Sequence, residues 1–148
     1  MVKKIAVCVA TYKRKLLLKN FLNSIKRLKI PKKYKLQVIL VVNDSESYNK
    51  IIKIFKKLNI KVLYERQKGI SYARNKYLKE IRKGKFDYVA FFDDDCTVEN
   101  NWIISMLNLM NNQKADIIAG PQYIRSKSLF NNILIRNELH LKKISWAS

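Results

Sequence analysis

The chain has 148 residues, 48% of them apolar, which is enough for one folded domain and too apolar for a disordered segment. With 31 Lys and Arg against 11 Asp and Glu, its formal net charge is +20 at pH 7. The single histidine, His140, argues against a histidine triad or zinc site, and Cys8 and Cys96 match no zinc-binding spacing. We therefore expect residues 1–148 to form a single domain.

The sequence has neither an apolar run near the ~18 residues of a membrane span nor the cleavage site of a signal peptide. We expect a cytoplasmic protein. Its positive charge would attract anionic lipid, phosphorylated ligands or nucleic acid, but abundant Lys, Ile and Asn are equally typical of an AT-rich genome. No nucleic-acid-binding motif is present, so we expect no nucleic acid partner. Peripheral contact with the inner membrane is the favoured functional explanation of the charge.

Strand and helix patterns alternate along the chain. The predicted elements are, in order, a strand at 4–10, a helix at 14–28, a strand at 36–42, a helix at 47–58, a short strand at 60–64, a helix at 71–83 that Gly84 ends, a strand at 86–92, a helix at 100–111, a short strand at 116–119 and a helix at 129–141. Repeated strand–helix–strand units with continuous apolar strands predict an α/β fold, a Rossmann-like parallel sheet with helices on both faces. The carboxyl ends of parallel strands meet at one rim, which gathers Thr11, Asp44 and the carboxylates at 93–95.

Three consecutive aspartates, Asp93, Asp94 and Asp95, follow the apolar run at 88–92. Carboxylates crowded at the end of a buried strand repel one another and lose hydration, and a divalent cation removes that penalty. Mg²⁺ and Mn²⁺ take carboxylate oxygens and often bridge to substrate phosphates. The cluster therefore indicates a site for a metal and a diphosphate, with a solvated acidic turn as the alternative.

Three further residues are candidates for contact with a nucleotide. Asp44 ends an apolar strand, where its carboxylate could accept hydrogen bonds from a base or a ribose, or could cap the following helix. Thr11 could contact a nucleotide through its hydroxyl, or serve only in a turn. Arg74 lies in the first turn of a predicted helix after Gly69 and could bind a base carbonyl or a phosphate, with a plain surface arginine as the alternative.

Four segments of the chain, taken together and in this order, resemble the motifs of family 2 glycosyltransferases: Val7-Cys-Val-Ala-Thr-Tyr-Lys-Arg14, Val41-Val-Asn-Asp44, Gly69-Ile-Ser-Tyr-Ala-Arg-Asn75 and Phe91-Phe-Asp-Asp-Asp95. The resemblance covers about residues 3–121 and implies the A-type, nucleotide-diphosphate-sugar-binding fold, of which this chain would hold the donor-binding half. It implies an inverting transfer from a nucleotide-diphosphate-sugar, with a UDP-sugar as the first choice, to a hydroxyl of a glycan or lipid-linked acceptor in cell-envelope synthesis. One small departure is Ala10, where many members have proline.

The resemblance also implies residue roles. The residues that would contact the nucleotide are Thr11, Asp44, Arg74, Asp93 and Asp94. Among them, Thr11 and Asp44 would contact the base, Arg74 the base or the ribose, and Asp94 the ribose. The Asp-x-Asp motif of the family falls on Asp93 and Asp95, which would bind Mg²⁺ or Mn²⁺ and so stabilise the diphosphate leaving group.

No catalytic base is assigned by the sequence. An inverting transfer needs one to deprotonate the acceptor hydroxyl, and family members, which normally run well beyond 200 residues, often carry it in a Glu-Asp pair of their second half. After Asp95 this chain offers only Glu99, Asp116 and Glu138, none in such a pair. A truncated, non-catalytic nucleotide-sugar-binding remnant is therefore an open alternative, and its exposed apolar surface would favour self-association or a partner chain.

A third alternative is a magnesium phosphatase of the haloacid-dehalogenase type, because residues 93–97 also fit an Asp-x-Asp-x-Thr pattern. Asp93 would then be the nucleophile and Asp95 the general acid. That motif usually ends the first strand of its domain, whereas about 90 residues precede it here.

Overall fold

The computed structural model describes residues 1–121, and the helix predicted at 129–141 lies outside them. The chain divides after residue 115, and its first unit is residues 1–115. The first unit alternates strands with helices, as predicted: β1 Lys3–Thr11, α1 Lys15–Lys26, β2 Tyr34–Val42, α2 Asn49–Ile54, β3 Ile60–Tyr64, α3 Ile70–Gly84, β4 Tyr88–Asp93 and α4 Trp102–Gln113. Within the described part of the chain, no helix is long and apolar enough to cross a membrane.

The four strands form one parallel sheet in the order β3-β2-β1-β4. The chain adds strands in one direction from β1 to β3 and then returns to place β4 on the other side of β1. Such a reversal creates a crevice beyond the carboxyl ends of the two strands where it occurs, and ligands of open α/β sheets bind there. Thr11 ends β1, and Ala10 is in register with Asp93 of the last strand. The end of β1 and the three aspartates therefore meet at this crevice.

Helices cover both faces of the sheet, which confirms the predicted fold class. Odd-numbered residues of β1, such as Val7, pack on one face with α1, α2 and α4. Even-numbered residues, such as Cys8, pack on the other face with α3. Burial on both faces explains why the strands are continuous apolar runs without alternation. Burial also raises the pKa of the Cys8 thiol to about 12, which makes it an inert core group.

Two elements differ from their predictions. Helix α2 is shorter than the predicted 47–58, because Leu58 and Phe55 donate backbone hydrogen bonds to the third residue before each, which ends the helix in tight turns. The prediction of a strand at 116–119 is wrong, because Asp116 lies in a bend and the next residues have no regular structure. Four residues bounded directly by Gly120 and Pro121 offer few ladder hydrogen bonds, so their apolar character alone does not make a strand.

The end of α3 is also different from the prediction, which made Gly84 the residue that ends the helix. Gly84 is the last helical residue, and Lys85 adopts the left-handed conformation at φ 48°. Glycine is required at position 84 for another reason, because a Cβ added there would overlap the ring of Phe86.

We expect Lys85→Gly to raise the free energy of unfolding by about 0.5–1 kcal/mol, because a left-handed conformation is strained for lysine and free for glycine. Gly84→Ala should lower it by about 1–3 kcal/mol through overlap with Phe86. Urea denaturation of both variants measures these changes. Stabilisation by Gly84→Ala with no gain from Lys85→Gly would contradict this account of the helix end.

Candidate functional site

A buried hydrogen bond joins the ends of β1 and β4 at the crevice. Thr11 is 2% exposed and Asp94 is 4% exposed. The Thr11 hydroxyl donates to Asp94 Oδ2 at 2.7 Å. A buried carboxylate is costly unless its charge is compensated, so the second oxygen of Asp94 needs a cationic partner.

Arg14 supplies that partner and extends the contact to the next aspartate. Its Nη1 lies 3.3 Å from Asp94 Oδ1 and 3.3 Å from Asp95 Oδ2. The Arg14 and Asp95 side chains are both about half exposed, at 54% and 52%. An ion pair so open to water contributes little to stability, so a ligand can displace Arg14 from Asp95 at low cost.

The third aspartate has a separate partner. Arg74 Nη2, near the start of α3, lies 3.6 Å from Asp93 Oδ1, and both side chains are largely exposed. The three consecutive carboxylates therefore have three environments: Asp93 faces Arg74, Asp94 is buried, and Asp95 is open and faces Arg14.

Asp44, at the end of β2, accepts three hydrogen bonds. The backbone N–H of Lys13 and the hydroxyl of Tyr48 donate to its Oδ2 at 2.7 and 2.8 Å, and the N–H of Glu46 donates to its Oδ1 at 2.7 Å. Burial opposes ionisation of Asp44 most strongly, but these donors together outweigh it and lower its pKa. Asp44 thus fixes the loop between β1 and α1, where Lys13 takes the left-handed conformation at φ 55°.

Asn43 is a structural residue that reasoning from the sequence missed. Its side-chain amide donates to the carbonyls of Glu65 and Gln67, at 3.0 and 2.7 Å, and its Oδ1 accepts the N–H of Gly69 at 2.9 Å. These bonds attach the turn before α3 to the end of β2, and Arg74 depends on that helix for its place. Arg14 was missed as well. The signal for both was their place inside the motif segments, since neither residue type is diagnostic alone.

The site residues predicted from the sequence thus lie at one edge of the sheet. They form one connected group, one single residue tied to the same loop, and one separate pair. Thr11 and Asp94 bond directly, and Arg14 links them to Asp95. Asp44 is tied to the same β1–α1 loop through Lys13. The pair of Arg74 and Asp93 stands apart, and no hydrogen bond or ion pair between it and the other predicted site residues is found in the described residues.

The carboxylates at the end of β4 fit a divalent cation whose coordination shell is completed by a bound ligand. Residues 1–121 contain no group of three His, Cys, Asp or Glu side chains arranged to hold a metal ion. Mg²⁺ usually takes only one or two carboxylates from the protein and completes its shell with water and substrate phosphates. The open carboxylates of Asp93 and Asp95 match that limited contribution.

The family model described as "Glycosyl transferase family 2" matches residues 6–146. The chain therefore belongs to glycosyltransferase family 2, as the sequence motifs suggested. It is 32% identical over 129 residues to the glycosyltransferase GlyA of Streptococcus pneumoniae, a match that covers 84% of this chain and 18% of GlyA.

Solved structures show the same fold. The structure of S. aureus TarS 1–349 in complex with UDP superposes with a TM-score of 0.65 at 22% identity, over 81% of this chain and 38% of that chain. The mannosyltransferase PcManGT from Pyrobaculum calidifontis, in complex with GDP-Man and Mn²⁺, superposes with a TM-score of 0.54 at 21% identity, over 66% of this chain and 29% of that chain. The chain thus spans well under half the length of each of these proteins.

Asp44 should make stability depend on pH. Its lowered pKa in the folded state means that it stabilises the fold at pH values above its unfolded pKa of about 3.9, and that this contribution is lost as the pH falls through its folded pKa. Asp44→Asn should therefore be less stable than the wild type at about pH 6, and the difference should shrink below about pH 4. Urea denaturation across this range measures it, and a difference independent of pH would refute the role of the Asp44 charge.

Proposed function

We propose that this chain binds a nucleotide-diphosphate-sugar, with a UDP-sugar as the first choice, in the crevice between the ends of β1 and β4. The sugar would pass with inversion to a hydroxyl of a glycan or lipid-linked acceptor of the cell envelope. The observation that carries the proposal is the constellation of Thr11, Arg14, Asp94 and Asp95 at the topological switch point of a family 2 chain.

The crevice carries positive charge suited to a diphosphate. Arg14 and Arg74 each reach an exposed carboxylate through a long, solvated contact that a phosphate can replace. Lys13 and Lys68 add two ammonium groups, at 5.6 and 5.4 Å from the ring centroid of the exposed Tyr12. The UDP bound to TarS supports uridine as the first nucleotide to test.

Asp95, together with Asp93, would hold Mg²⁺ or Mn²⁺ against the diphosphate. When bound, the metal would neutralise the charge that develops on the diphosphate leaving group. The Mn²⁺ in the PcManGT complex supports this assignment. Buried Asp94 would keep its bond to Thr11 and position the loop that carries Asp95. Arg14, once displaced from Asp95, would remain close enough to bind a phosphate oxygen.

Binding without turnover is the second candidate function. Among the described residues after Asp95, the acidic side chains are Glu99 and Asp116, and neither is assigned as a base. Family membership, in contrast, favours the transferase over the phosphatase interpretation of residues 93–97.

Calorimetric titration with UDP, GDP and TDP, each with and without Mn²⁺, tests the donor site. We expect one nucleotide, UDP first, to bind only when Mn²⁺ is present, because the diphosphate completes the metal shell. Release of UDP from a UDP-sugar in the presence of acceptor glycans would then separate transfer from binding alone. Failure of all three nucleotides to bind would remove the support for a donor site.

Asp95→Asn should weaken Mn²⁺-dependent binding of the nucleotide at least tenfold and leave the unfolding transition within about 0.5 kcal/mol, because Asp95 is exposed. Glu80→Gln is the control, since it removes one carboxylate from α3, where Glu80 pairs with Lys61 rather than with a residue of the crevice. The control should bind like the wild type. Equal affinities of Asp95→Asn and wild type would show that the metal assignment is wrong.

A further inference from the structure

The acidic residues are unevenly distributed along the chain, which leaves two stretches with uncompensated positive charge. The first 43 residues contain twelve Lys and Arg and no Asp or Glu, and residues 47–64 contain five Lys and again no acidic residue. These two stretches include α1 and α2. Eleven acidic residues spread evenly over the chain would place about three in the first 43 residues, so the positive charge there is less compensated than elsewhere.

The two helices of these stretches lie on the same face of the sheet. Phe21 and Leu22 of α1 pack into the same hydrophobic cluster as Ile51 and Ile52 of α2, while α3 packs on the opposite face. The outward sides of α1 and α2 therefore form one surface. The opposite surface is also basic but carries acidic residues, since Glu80 and Glu65 pair there with Lys61 and Lys76.

Helical spacing aligns the lysines of α1. Lys15, Lys19 and Lys26 are four and seven residues apart, so they lie within about 40° of one another around the helix axis. Lys15 contacts Glu46 and lies over the Tyr48 ring, at 5.4 Å from its centroid, which places this row on the side of α1 next to the segment that leads into α2. The exposed lysines of α2 and the turn after it continue the surface: Lys50, Lys53, Lys56 and Lys57.

Large apolar side chains stand among these charges. Leu16 is 70% exposed on α1 and Ile54 is 57% exposed on α2. Neither packs into the core, and both are surrounded in sequence by lysines. A basic surface with protruding aliphatic side chains suits the interface of an anionic bilayer, where lysines meet lipid phosphates and aliphatic groups enter the acyl boundary. Nucleic acid phosphates would use the lysines and leave Leu16 and Ile54 without a role.

We propose that this basic face, formed by Leu16, Lys19, Lys26, Lys50, Lys53, Ile54, Lys56 and Lys57, binds the surface of an anionic lipid bilayer. The inference does not rest on the proposed transferase activity. It does complement it, since α1 begins directly after Arg14, so the basic face reaches the crevice. A protein bound in this way would hold its crevice close to lipid-linked acceptors.

The experiment is co-sedimentation of the full chain with vesicles of phosphatidylcholine alone and with about 30% phosphatidylglycerol, in about 0.1 M NaCl. The test variant carries Lys19→Gln, Lys26→Gln and Lys53→Gln. The matched control carries Lys79→Gln, Arg82→Gln and Lys83→Gln, which remove the same charge from exposed positions of α3 on the opposite face. Circular dichroism of each variant verifies the fold. UDP titration of each variant tests the donor site independently of lipid binding.

We expect the wild type to bind the anionic vesicles and not the neutral ones. The basic-face variant should lose at least tenfold in affinity, since each basic residue near an anionic surface is worth about fivefold, and the α3 control should lose less than threefold. Leu16→Ser should weaken binding by a larger factor at high salt than at low salt, because screening of the charge attraction leaves more of the affinity to the aliphatic contact. Three results would each overturn the proposal. They are equal losses in the two triple variants, no binding of anionic vesicles by the wild type, and displacement of the vesicles by poly(U) RNA at a concentration below that of the vesicle lipid.

Discussion

The buried carboxylate of Asp94 is the constraint on which the crevice depends. A charge at 4% exposure is tolerated only because Thr11 donates to one oxygen and Arg14 faces the other. These contacts fix the end of β1 against the turn after β4, the two strands between which the sheet reverses its order. Asp93 ends β4 and Asp95 follows Asp94 in this turn, so the two open carboxylates flank the buried one.

The neighbouring strand ends are fixed by similar means. Asp44 gathers donors from the β1–α1 loop and from Tyr48, and burial and the nearby Asp44 carboxylate raise the pKa of that tyrosine. Asn43 attaches the turn before α3 to β2. Loops of parallel α/β sheets carry the functional residues. Here polar side chains at the strand ends, rather than a larger core, fix the positions of those loops. The arrangement leaves the side chains of Arg14, Arg74 and Asp95 about half exposed.

The fold could be predicted because its strands are continuous apolar runs and its first helix has a clear apolar face, as at Leu18, Phe21 and Ile25. The sites could be predicted only as a set of residues at one rim. Three identical side chains in sequence, Asp93 to Asp95, differ in burial and partner, and those differences arise from Thr11, Arg14 and Arg74, which are distant in the chain. The left-handed residue at the end of α3 is Lys85 although glycine precedes it, and that glycine has a different role, because the ring of Phe86 leaves no room for a Cβ at position 84.

The central claim is that a nucleotide diphosphate and a divalent cation meet at the end of β4, and a crystal soaked with UDP and Mn²⁺ tests it most directly. The anomalous signal of manganese locates the metal without reference to the fitted nucleotide. The account predicts one peak beside the open carboxylates of Asp95 and Asp93 and next to the bound diphosphate, with Arg14 turned away from Asp95. A manganese peak away from residues 93–95, or UDP bound outside the crevice between β1 and β4, would contradict it.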